Sequence, residues 1–170
     1  RQRTFNCFHK RSESGYVFEH KALYRSISEE VYDDVFTIEI GKGKLVREGR
    51  YLSIITYGFG VHWALEFLND NPDISADLID LRTLLPLDKE AVEKTVKKTG
   101  KVIILHEDTL IGGIGGEISA FISENYFEYL DAPVIRSAGL DTSVPFASSL
   151  EWNFLPKERF KKQVVDLFKY

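Results

Sequence analysis

The residues best equipped for chemistry fall in a few short stretches. His106, Glu107 and Asp108 follow an apolar run at 101–105 (KVIIL) that reads as a strand buried on both faces. The carboxyl end of such a strand is where open α/β sheets place ligand-contacting groups. A histidine beside carboxylates has the parts for acid–base work. Adjacent strand residues point to opposite faces, however, so His106 and Glu107 are not expected to pair with each other. Their expected use is hydrogen bonding to loop backbone or to a neighbouring subunit. A glycine loop follows, Gly112-Gly113-Ile114-Gly115-Gly116, with Glu117 next, and it opens a helix. Backbone N–H groups at such a helix start attract anions. Yet the spacing is not GxGxxG, no Walker lysine follows, and the loop is not on the first βα unit. A tight turn that lets helix and strand approach closely is the expected role.

Asp80 and Arg82 lie two apart in 76–82 (ADLIDLR), which reads as one strand, so they share a face. A buried Asp80 needs a partner, and Arg82 could clamp a carboxylate or phosphate. A structural ion pair or an interface contact is expected. Phe18-Glu19-His20-Lys21 and Tyr24-Arg25 are dense in function for a connector, and aromatic plus Arg composition suits an interface anchor. There is no GxSxG, and Cys7 sits in a mixed polar arm. His9, His20, His62 and His106 are too scattered for metal-ligand spacing. Trp63, Phe67, Phe121, Tyr126 and Phe127 recur at helical spacing and are read as core. No catalytic, cofactor-binding or metal-ligating residue is assigned, and the site candidates are candidates for interfaces.

The elements that must hold these residues alternate. Residues 1–15 form a polar arm, 16–18 a possible short strand, and 26–36 an acidic connector. Residues 37–47 (TIEIGKGKLVR) alternate as an edge strand or turn pair would. Then come a strand at 51–57, a helix at 61–69, a strand at 76–82, a helix at 89–98 capped by Asp88 and ended by Gly100, and a strand at 101–105. A helix at about 116–129, a strand at 133–137, an irregular tail punctuated by Pro145 and Pro156, and a helix at 157–168 complete the pattern. This predicts a three-layer α/β/α fold, with a mostly parallel sheet of about five strands and one antiparallel edge strand.

The chain has 170 residues, 44% hydrophobic and 28% charged, with net charge −4. That describes one ordinary globular domain with interspersed charge, and no basic stripe suggests nucleic acid. No apolar run reaches membrane-spanning length, and no signal peptide is evident. One cysteine fits a reducing compartment, and a cytoplasmic location is expected. The chain contains no Met, which leads to the expectation of an excised segment or a processed chain.

Several segments together resemble the β-subunit of 2-oxoacid dehydrogenase E1 components, such as the pyruvate and branched-chain enzymes. They are FEHKALYR at 18–25, Gly41-Lys42, VREG at 46–49, ITYG at 55–58, IDLRTLLPLD at 79–88 and His106-Glu107. GGIGGEI at 112–118, APV at 132–134, Pro145-Phe146 and Leu150-Glu151 follow in the family's order, across roughly residues 16–170. The resemblance implies a transketolase C-terminal-like domain at 37–170, with 1–36 as an arm from a missing pyrimidine-binding domain. It implies an intact enzyme that uses thiamine diphosphate and magnesium to decarboxylate a 2-oxoacid oxidatively, passing the acyl group to a lipoyl group. This segment itself would hold no cofactor and would be inactive alone. It would serve association with an α subunit (or α-like half) and a second β copy, and docking of the lipoyl acyltransferase (E2). Glu151 and Tyr170 join the interface candidates on this ground, and Glu158 and Asp166 are docking candidates. The family's Asp-containing stretch before FEHK, which in some members helps hold potassium, is replaced by Lys10-Arg11-Ser12-Glu13-Ser14-Gly15. Three alternatives stay open besides. One is the corresponding domain of a transketolase, deoxyxylulose-phosphate synthase or acetoin dehydrogenase. Another is a free-standing anion- or nucleotide-binding module using the Gly112–Gly116 loop. The third is a different enzyme with His106 as base.

Overall fold

The computed structural model describes residues 15–26, 28 and 37–170. The expectations for residues 1–14, including the altered stretch before FEHK, and for most of 26–36 lie outside the described residues.

Three strands carrying Ile, Val and Leu form the centre, because their side chains are covered on both faces. They are β2 (Leu52–Thr56), β3 (Ala76–Asp80) and β4 (Val102–Thr109), and β5 (Ile135–Gly139) lies at one edge. With β1 (Lys44–Arg47) they make one sheet in the order β1-β3-β2-β4-β5, in which only β1 runs antiparallel. One turn of helix, α1 (Leu23–Ser26), lies in the N-terminal arm. The helices α2 (Phe59–Asp70), α3 (Lys89–Thr99), α4 (Ile114–Tyr126), α5 (Ser148–Phe154) and α6 (Lys157–Lys169) follow in chain order.

Alternation along the strands assigns the two faces. Ile54 and Leu105 pack with Trp63 and Phe67 of α2 and with Phe160 and Val164 of α6. Ile55 and Ile104 pack with Val92 and Val96 of α3 and with Ile118 and Ile122 of α4. This is the expected three-layer fold. The antiparallel edge strand is present as well.

Local signals explain the helix limits. Asp88 Oδ1 accepts from Ala91 N at 3.1 Å, and its other oxygen accepts from Gly43 N at 2.8 Å. Gly100 ends α3 at φ 68°, a conformation that side-chain-bearing residues resist. At the amino end of the sheet, buried Asp77 accepts from Gly49 N (2.8 Å), Thr95 Oγ1 (2.9 Å) and Lys98 Nζ (2.9 Å). That network fixes the turn into β2 against α3.

The sequence reading needs several corrections. The strand expected at 37–47 is confined to Lys44–Arg47, because a turn at Gly41 (φ 84°) precedes it. Residues 16–18 form no strand. β3 stops at Asp80 and Arg82 has φ 58°, so the two do not share a strand face. β4 runs on to Thr109, so His106, Glu107 and Asp108 lie within it rather than after it. β5 starts at Ile135, two residues late, as Pro133 cannot donate to a ladder. The irregular tail contains α5. Phe127, read as core, is exposed in a 3₁₀ turn at Phe127–Tyr129.

Candidate functional site at the carboxyl edge of the sheet

From β2 the chain crosses to β3 on one side, and from β3 it returns past β2 to β4 on the other. The carboxyl ends of β2 and β4 therefore flank a topological switch point, the usual location of a crevice in such sheets. The sequence candidates divide around this point.

Glu107 points to the N-terminal arm. His20 Nε2 lies 3.1 Å from both Glu107 oxygens, each partner about one-third exposed. The His20 ring also packs on Phe59 at 5.0 Å, and Phe59 packs on Trp63 at 5.0 Å. One histidine thus joins the arm to a strand end and to the first turn of α2. Beside it Tyr24 Oη donates to Glu19 at 2.6 Å. Lys21 is exposed, its carbonyl accepting from Tyr24 N, and Arg25 lies in the α1 turn. Tyr57, at the end of β2, is pushed up to about 12 by burial and by the carboxylates of Asp108 and Glu107, so its hydroxyl stays protonated.

His106 points to the opposite face and does not pair with Glu107. It is almost wholly buried and neither ring nitrogen reaches a hydrogen-bond partner. Burial holds its pKa below the usual histidine value, against the pull of Asp108. The ring fills the space under the start of α4. A Cβ at Gly113 would sit 2.6 Å from His106 Cε1, and one at Gly115 would collide with His106 Nε2. These two glycines are where the sequence needs them, with Gly113 closing a bond from Gly116 N at 3.0 Å. Gly112 differs, since it has φ 81° and open space around it. Glu117 is exposed in the first turn of α4 and already supplies negative charge to that helix start.

Asp80 and Arg82 stand apart, beyond β2. Arg82 N donates to Asp80 Oδ1 at 3.1 Å, and the Arg82 Nε–Asp80 Oδ2 separation is 3.9 Å. Burial raises the Asp80 pKa, opposed by Arg82, His62 and Lys44. Glu151 is exposed on α5. Tyr170 lies at the other end of the molecule. Helix α6 begins beside Ala138, whose carbonyl accepts from Arg159, and ends with Phe168 packed 5.8 Å from Tyr51 at the start of β2.

The sequence reading passed over Tyr57 and Phe59. The signal was the Tyr57-Gly58-Phe59-Gly60 turn: Gly58 has φ 57°, and a Cβ at Gly60 would collide with Thr56 Oγ1. Taken together, the edge is a junction where the arm, two strand ends and two helix starts are pinned to one another. Among the described residues no three His, Cys, Asp or Glu side chains gather to hold a metal.

A doubly wound sheet with an antiparallel edge strand and this junction defines the class of α/β domain. The family model described as "Transketolase, C-terminal domain" matches residues 41–159, and the chain belongs to that family. It is 45% identical over 141 residues to a 2-oxoisovalerate dehydrogenase subunit beta of Bacillus subtilis (strain 168), covering 81% of this chain and 43% of the relative. It is 42% identical over 143 residues to the pyruvate dehydrogenase E1 component subunit beta of the same organism, covering 83% and 44%. A solved chain described as "Split gene transketolase, inactive beta4 tetramer" superposes with a TM-score of 0.67 at 26% identity, covering 85% of this chain and 47% of that one. The chain spans less than half the length of these relatives.

Proposed function

We propose that this chain is the carboxyl-terminal assembly domain of a thiamine-diphosphate-dependent 2-oxoacid dehydrogenase E1 component, with residues 1–36 leading in from a pyrimidine-binding domain. The observation that carries this is the 45% identity to a 2-oxoisovalerate dehydrogenase β subunit across four-fifths of the chain. The 26% identity to a transketolase chain gives the transketolase alternative weaker support. The holoenzyme would decarboxylate a 2-oxoacid oxidatively and pass the acyl group to a lipoyl acyltransferase. Thiamine diphosphate supplies the carbanion chemistry when bound. Among the described residues no three His, Cys, Asp or Glu side chains gather, and the proposal puts the magnesium-diphosphate group in other parts of the holoenzyme.

This chain's own part is to hold subunits in register: an α subunit, a second β copy and the acyltransferase. The arm junction at His20 and Glu107 supports that reading, since it ties an incoming segment to the sheet. No helix among the described residues is long and apolar enough to cross a membrane, and the proposed location is the cytoplasm.

The test mixes this chain with the α subunit of a 2-oxoacid dehydrogenase and, separately, with the subunit-binding domain of its acyltransferase. Light scattering after gel filtration should detect a complex with at least one of them. No complex with either would overturn the proposal. Calorimetry with thiamine diphosphate and magnesium, and with nucleotides, is expected to show no heat; micromolar nucleotide binding would favour a free-standing module instead.

A further inference from the structure

His106 is held by shape alone. Both ring nitrogens are buried without a partner, and Gly113 and Gly115 lie so close that a Cβ on either would run into the ring. The surroundings also oppose a charge there. The first amides of a helix carry the positive end of its dipole, and those of α4 lie over the imidazole. Arg136 of β5 disfavours the charge too, and its Nη1 is fixed to Leu110 O at 3.0 Å. Asp108, on the same strand, is the carboxylate that favours it. That side chain is exposed and already accepts from Thr109 N at 2.8 Å. Tyr57 of β2 remains a neutral hydroxyl, and Glu117 in the first turn of α4 is exposed.

The segment that covers the ring runs between two anchors. Before it, Ile111 donates through its N–H to Asp141 Oδ1 at 2.7 Å and accepts through its carbonyl from Thr109 Oγ1 at 2.8 Å. After it, Ile118 is fully buried in the core. Between the anchors lie Gly112, Gly113, Ile114, Gly115, Gly116 and Glu117, and the four glycines leave the backbone free to turn. Gly112 has φ 81° and open space on the side where a Cβ would stand, so it can act as the hinge.

We propose that His106 is a proton-operated prop beneath the start of α4. Neutral, the ring fills its space and residues 112–117 stay closed on it. Protonated, it needs partners for two N–H groups, moves out to water, and the segment turns outward about Gly112 while Ile118 and the rest of α4 stay in place. Acid thereby opens the carboxyl edge of the sheet without unfolding the domain. The direction follows from linkage. The opened state has a solvated histidine with an ordinary value near 6.5, the closed state holds it lower, and so added protons favour the opened state. The inference is independent of the assembly role.

Native-state hydrogen exchange on the full chain is the test, with each amide rate divided by its intrinsic rate at that pH. The Gly116 amide, bonded to Gly113 O at 3.0 Å, reports on the turn, and the amides of Leu52–Thr56 report on the core. Below about pH 6.5, protection at Gly116 should fall by up to about tenfold per pH unit. Low urea should leave that fall unchanged, because a local opening exposes little surface. His106→Gln cannot take the proton and should abolish the fall. Asp108→Asn keeps an oxygen for Thr109 N but removes the charge, and should carry the fall to lower pH. Protection at Gly116 that stays flat from about pH 7.5 to about pH 5 overturns the proposal. So does a fall with the urea dependence of Leu52–Thr56, which means that the whole domain unfolds, or a fall that persists in His106→Gln. Should that variant not fold, the urea dependence of the unaltered chain decides.

Discussion

His106 shows how a buried polar group can be spent on shape. Its ring is neutral, unpaired and pressed against the backbone of Gly113 and Gly115. Gly115→Ala should cost about 2 kcal/mol, the usual penalty for overpacking. His106→Ala should relieve that clash, so the double variant should lose less than the two single losses combined in urea unfolding. A pH dependence follows from the same ring. Burial depresses its folded-state pKa below the ordinary 6.5, so between those two values the unfolded chain binds more protons than the folded one. Stability should therefore fall as pH drops below about 6.5 toward the folded pKa. His106→Gln should flatten that part of the curve measured by thermal unfolding at graded pH.

Helix α3 and the segment before β1 are coupled through one carboxylate. Asp88 accepts from Ala91 N at the start of α3 and from Gly43 N across a gap of 45 positions. Asp88→Ala removes a cap worth about 1 kcal/mol and strands a part-buried N–H at a further cost of about 1–3 kcal/mol. Hydrogen exchange at Gly43 and Ala91 should accelerate together. Asp88 was legible in sequence as a cap because that signal is local; the bond to Gly43 was not, because it depends on how β1 lies against β3. The same division runs through the fold. Apolar runs marked β2 and β4, and Gly100 marked the end of α3. Where β3 ends and how far β4 extends were decided by pairing partners that a single strand does not display. The His20–Glu107 contact lies 87 positions apart, and both residues were named as interface candidates without any sign that they would meet.

At the scale of the whole molecule, charge and apolar exposure act together. The chain carries a net charge of −4 and a pI near 5.6. Near that pH, repulsion between copies is weakest while Phe146 and Trp152 remain exposed. Light scattering should rise as the solution is brought from pH 8 to pH 5.6, and 0.5 M salt at pH 8 should reproduce part of the rise by screening. The Phe146→Ser variant should show a smaller rise.

Helix α6 sets the two ends of the sheet apart. Its 13 residues run from Lys157, beside the carboxyl edge, to Lys169, beside Tyr51, a span of roughly 20 Å. A tether fixed at Tyr170 would therefore hold the molecule by its amino edge and turn the His20–Glu107 junction and the start of α4 toward the solution. Attachment at Tyr170 makes the chain an oriented bait, with its carboxyl edge free to be read and a dye at the anchor too far away to disturb it.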